Sequence, residues 1–90
     1  VKTIYQGKIS GLEIIISEAE YGFFAKTFLK NDFEGSVKKN GKATIISSPL
    51  PKGSPIEFDC NSPEELNSML INIGHSTEDI RTLFDALLSI

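Results

Sequence analysis

Very few side chains in this chain could do covalent or metal chemistry, and they do not assemble into a set. His75 is the only histidine and Cys60 the only cysteine. A lone histidine cannot build a multi-histidine metal site, and nucleophilic catalysis would require a serine or cysteine within its reach together with an orienting acid. No G-x-S-x-G elbow is present, and Ser76, next to His75, is better used as a helix cap. Cys60 lies between Asp59 and Asn61, where a strand gives way to a helix. A helix N-terminus can activate a thiol, but a small residue packed beneath the helix is the plainer reading. The acidic pairs Glu18/Glu20 and Glu57/Asp59 have the i, i+2 spacing that puts both members on one face of a strand. Either pair could serve as acid and base or begin a cation site, yet neither has a third oxygen ligand nearby in sequence. Gly35, Gly41 and Gly53 are isolated, and Lys52-Gly53-Ser54 lacks the upstream glycine and following helix of a phosphate loop. The expectation is a chain without a catalytic set, a metal or another cofactor.

Binding chemistry is better represented. Glu18 and Glu20 bracket a turn that also carries Tyr21, and a tyrosine among carboxylates suits protein recognition. Tyr5, Lys39 and Lys42 supply a further aromatic anchor and opposite charge on the strand-rich half. The candidate partner contacts are therefore Tyr5, Glu18, Glu20, Tyr21, Lys39 and Lys42. A rival reading places phosphate near Lys38, Lys39 and Lys42, around Asn40-Gly41, with Phe24 or Phe28 as a stacking platform. Lysines at hairpin tips also guard against strand-to-strand aggregation, and an acidic pI near 5.0 with a single arginine argues against nucleic acid.

The elements that must position these residues change type along the chain. Lys2 to Ile9 and Leu12 to Ser17 read as strands joined by a turn at Ser10-Gly11. From Phe23 to Leu29 the alternation leaves aromatics on both faces, so one of Phe23, Phe24 and Phe28 is expected either exposed or sealed under a loop. Phe33 to Lys39 and Lys42 to Ser48 flank Asn40-Gly41, the pair a type I′ hairpin turn favours. The segment Pro49 to Pro55 has three prolines and reads as a rigid loop without a regular ladder, followed by a short strand over Ile56 to Asp59. Beyond it, Ser62-Pro63-Glu64-Glu65 has the form of a capping box, Leu66, Met69, Leu70 and Ile73 make one apolar stripe, and Gly74 suits a helix end. Ser76 opens a second helix whose stripe is Ile80, Leu83, Phe84 and Leu87. The predicted fold is α+β: an antiparallel sheet of four to five strands over residues 1–59, then a helical hairpin over residues 62–89 packed on one face, all in a single domain, 1–90.

Charge divides at the same boundary. Residues 1–55 hold eight lysines against five acids, and residues 56–90 hold seven acids against Arg81 alone. Such a bipolar surface suits two partners, or one partner met by a chosen face, although Glu64, Glu65, Glu78 and Asp79 also favour the positive ends of their helix dipoles. One cysteine permits no internal disulfide, which points to a cytoplasmic setting. No apolar run approaches the roughly 20 residues of a membrane span, and no leader is apparent.

The run Ile56-Glu57-Phe58-Asp59, then Ser62 to Leu70, Gly74, Ile80 and Asp85-Ala86-Leu87, resembles the C-terminal part of small phage anti-CRISPR proteins, in particular a type I-F inhibitor with a short antiparallel sheet and two helices. The resemblance covers residues 56–88 and falls on scaffold positions, so no contact residue is carried over from it. It implies a non-catalytic inhibitor, phage-encoded and acting in the bacterial cytoplasm, that binds subunits of a CRISPR surveillance complex stoichiometrically and blocks target DNA or a required movement. The alternatives are an immunity protein or antitoxin neutralising a cognate toxin, and a small nucleic-acid-binding module.

Overall fold

The computed structural model describes residues 2–39 and 41–89, with Ser47 described through its backbone alone. Six strands precede two helices: β1 (Thr3–Ile9), β2 (Leu12–Ala19), β3 (Gly22–Phe28), β4 (Phe33–Lys39), β5 (Lys42–Leu50) and β6 (Pro55–Cys60), then α1 (Pro63–Asn72) and α2 (Thr77–Leu88). The α+β class and the C-terminal helix pair match the expectation from sequence. The strands, however, form two antiparallel sheets in place of one, a four-stranded sheet ordered β1-β2-β3-β6 and a two-stranded β4-β5 ribbon.

The division follows from how the β4–β5 excursion is closed. Leu29 donates to the Ser54 carbonyl and accepts from Gly53 N–H, both at 2.9 Å, and Lys52 N–H reaches the Asp32 carboxylate at 2.8 Å. With both ends of the excursion tied together, β6 takes the place beside β3, pairing Phe23 with Cys60 and Phe28 with Pro55. The ribbon then lies along the outer side of β6.

The proline-rich segment also differs from expectation. Strand β5 continues through Pro49 to Leu50, which pairs with Phe33 after a register shift, and β6 already begins at Pro55. A proline is tolerated here because the irregular stretch asks no ladder bond of its missing N–H. At the other end of the ribbon Gly41 has φ +77°, while Asn40, the first residue of the expected type I′ pair, lies outside the described residues. The β1–β2 turn is fully described. Ser10 (φ +52°) and Gly11 (φ +80°) both have the positive φ that such a turn requires.

One face of the four-stranded sheet is apolar. Ile14 and Ile16 from β2, Ala25 and Thr27 from β3, and Ile56, Phe58 and Cys60 from β6 are buried, and they meet Leu66, Leu70, Ile73, Ile80 and Leu83 from the helices. Thr27 is accommodated because its hydroxyl donates to the Glu13 carbonyl at 2.7 Å.

The helix ends explain why the hairpin was readable. Ser62 Oγ accepts from Glu65 N–H at 3.2 Å, and the Glu65 carboxylate reaches back to Asn61 N–H at 3.3 Å, one residue earlier than in a standard capping box. At the far end Gly74 has φ +106°, its N–H bonds the Ile71 carbonyl, and His75 N–H bonds the Leu70 carbonyl. These are the two bonds of a Schellman motif. Ser76 Oγ then accepts from Asp79 N–H to start α2.

Candidate protein-binding groove

An open groove of about 890 Å³ lies between the β2–β3 turn and the tip of the β4–β5 ribbon. Glu18, Ala19, Glu20 and Tyr21 form one wall, Phe23, Phe24 and Asp59 the sheet side, and Lys38, Gly41 and Asn61 the remainder. Tyr21 stands 79% exposed. Phe24 is half-buried, facing the groove from the side of the sheet away from the helices, which accounts for one of the aromatics that the sequence pattern left without a core position. Phe28 is 37% exposed and Phe23 is half-buried against the core.

The turn is held in place by its neighbours. Gly22 has φ +122°, and a Cβ there would overlap the Cys60 carbonyl oxygen, so only glycine allows β3 to start this close to the end of β6. In the amide orientation that satisfies both of its partners, Asn61 donates to the Tyr21 carbonyl at 3.1 Å and accepts from Lys38 Nζ at 2.8 Å. Lys38 Nζ also pairs with Glu65 at 3.2 Å. Asp59 Oδ2 accepts from Gly41 N–H at 3.1 Å, joining the ribbon tip to β6.

Of the six contacts expected from sequence, the structure brings Glu18, Glu20 and Tyr21 together at this groove. Lys38, which was not among them, takes the place expected of Lys39 and Lys42. Lys39 pairs at 3.1 Å with Glu57, on the same face of β6 as Asp59, where Lys26 also approaches at 3.7 Å, and it is not among the residues lining the groove. The hydrogen bond from Lys39 holds the Glu57 carboxyl below its ordinary range. Lys42 is exposed on β5 opposite Lys39 and does not line the groove. Tyr5 is half-buried, packed against the core with its ring over Gly7. Sequence spacing could not show this, because a register shift between Thr3 and Tyr5 sets which way β1 presents its side chains.

Comparison with family models, with curated proteins and with solved structures finds no match to this chain.

A second polar cluster escapes the sequence because its members are 65 and 69 residues apart. Ser10 Oγ donates to Asp79 Oδ2 at 2.6 Å and lies 3.1 Å from His75 Nδ1. With the hydroxyl proton directed to Asp79, the imidazole is the donor to Ser10, which fixes the proton on Nδ1. Nε2 is buried with no hydrogen-bond partner, and the residue as a whole is 4% exposed. Burial, aided by the Lys30 ammonium and opposed by Asp79, holds the His75 pKa below its ordinary 6.5. The order of hydrogen bonds is the reverse of a Ser-His-Asp relay, where the imidazole takes the hydroxyl proton. What the cluster does is tie the β1–β2 turn to the helix connection.

Cys60 is buried at the end of β6, and burial pushes its thiol up to about 12. Among the described residues, no group of three or more His, Cys, Asp or Glu is placed to hold a metal ion. No helix among them is long and apolar enough to cross a membrane.

Proposed function

We propose that this chain is a non-catalytic binding protein that acts by stoichiometric occupation of a partner's surface. In its most concrete form it is a phage-encoded inhibitor of a bacterial CRISPR-Cas complex, working in the host cytoplasm. The observation that carries the binding reading is the groove: the exposed Tyr21 on the turn with Glu18 and Glu20, beside the half-buried Phe24 and Asp59 of the adjoining strands. Exposed aromatics of low conformational entropy on a preorganised support are what anchor protein interfaces. The inclination to a defence complex comes from the resemblance of residues 56–88 to type I-F inhibitors. The residues of that resemblance lie in β6, in α1 with its Ser62 cap and Gly74 stop, and in α2.

The nucleic-acid alternative loses ground on geometry. Lys38 and Lys39, two of the three lysines it depends on, are each paired with a carboxylate of their own chain, which subtracts from the phosphate attraction they could offer.

The test is a titration of purified type I-F surveillance complex with this protein, reading the fraction of complex still able to bind target DNA. Loss of DNA binding complete at a fixed small molar ratio is expected, and E18A/E20A/Y21A should raise the concentration needed at least tenfold while leaving the circular-dichroism spectrum unchanged. Full DNA binding at saturating wild-type protein would overturn the defence-complex reading and move the weight to a toxin-neutralising role.

A further inference from the structure

The groove is electrostatically unfinished, and the missing charge is positive. Among the described residues its one cation is Lys38, already committed on both sides, to the Glu65 carboxylate at 3.2 Å and to the Asn61 side-chain amide oxygen at 2.8 Å. Among the described residues, Asp59 accepts one backbone N–H, from Gly41. Glu18 and Glu20 have no ion-pair partner among the described residues. Tyr21, open to solvent, shares the turn with Glu18 and Glu20, and Phe24 is the cross-strand partner of Asp59.

Resting on the binding reading above, we propose that this groove receives a basic side chain, arginine or lysine, carried by an extended segment of the partner protein. A guanidinium or ammonium can meet carboxylates at its edge while its face lies on an aromatic ring, and the two attractions reinforce each other where water is partly excluded. A nucleic-acid base could use the rings, but its phosphates would face Glu18, Glu20 and Asp59. A divalent ion would need three or more oxygen ligands converging on one point, and the described acids make no such group. An organic cation bridges carboxylates that are spread apart, as these are along a turn and a strand. At about 890 Å³ the groove holds more than one side chain, so the residues flanking the basic one lie within it as well. Because Gly22 and Asn61 fix the turn beforehand, little ordering is left to occur on binding.

The probe is an end-capped hexapeptide of sequence GSRGRS, with a counterpart in which both arginines are citrulline, neutral and of nearly the same shape. In a two-dimensional amide NMR titration at low salt, the arginine peptide should give saturable shifts confined to residues 18–24, 38, 41 and 59–61. The citrulline peptide should give none, and E18Q/E20Q, whose changes are on exposed side chains, should weaken the arginine peptide at least fivefold with the spectrum otherwise intact. Equal shifts with both peptides, shifts spread over the surface, or an unchanged affinity in E18Q/E20Q would overturn the proposal. Failure here is separable from failure of the reading it rests on. A surveillance complex bound equally by wild type and E18Q/E20Q removes the basic-residue proposal alone, whereas confined peptide shifts with no inhibition of the complex remove the defence partner and keep the groove.

Discussion

Two buried residues, His75 and Cys60, carry protonation behaviour that follows from where the fold puts them. His75 is kept neutral by burial, so the unfolded chain takes up a proton first as the pH falls through 6.5. Its contribution to stability is therefore whole above that value and declines below it. Asp79 acts in the same direction at lower pH. The hydrogen bond from the Ser10 hydroxyl, followed by one from the Ser76 side chain, holds its carboxyl below its ordinary 3.8, and its contribution is lost as the pH falls further. The urea midpoint should drop between pH 7.5 and 5.5, and His75→Gln should flatten that slope; an equally steep slope in the variant would assign it to other groups. Cys60, with its thiol pushed up to about 12, should resist a disulfide reagent at pH 8 in the native protein and react at once in 6 M guanidinium. Fast labelling of the folded protein would contradict the buried position.

At the scale of elements, the close approach of β3 to β6 depends on Gly22. Gly22→Ala adds a Cβ against the Cys60 carbonyl at a positive φ, which backbone cannot yield cheaply. It should cost on the order of 3 kcal/mol in chemical denaturation, and a loss below about 1 kcal/mol would mean that β3 and β6 can separate without harm. Both helices were legible because their information is local: Ser62 and Ser76 cap, Gly74 stops, and the stripes Leu66/Leu70/Ile73 and Ile80/Leu83 repeat with the helical period. The strands themselves were also legible as runs. Their partition was not, since nothing near Phe33 or Ile56 says that β3 will skip the next hairpin and pair with β6. That choice is made by Leu29, Asp32, Lys52, Gly53 and Ser54 closing the excursion across some 20 residues.

At the scale of the molecule, the same contrast separates the part of the site that could be read from the part that could not. Glu18, Glu20 and Tyr21 are neighbours in sequence, on one turn, and were found. Lys38 and Asn61 arrive from the ribbon and from the start of α1, and Phe24 gains its place only when β6 and the ribbon border it. The bipolar charge distribution is also reshaped by folding, because lysines of the first half neutralise acids of the second: Lys38 with Glu65, Lys39 and Lys26 with Glu57, and Lys30 with Asp79 at 3.9 Å. Among the described residues, the Glu18–Tyr21 turn lies outside these pairings, with Tyr21 exposed. The most direct measurement is hydrogen–deuterium exchange of this protein alone and bound to the purified surveillance complex. Slowed exchange over residues 18–24 and at the ribbon tip beside Gly41, with α1 and α2 unchanged, is the predicted result. Slowing confined to the helices or to the free edge of β5, or no slowing anywhere, would contradict a groove-centred binding function.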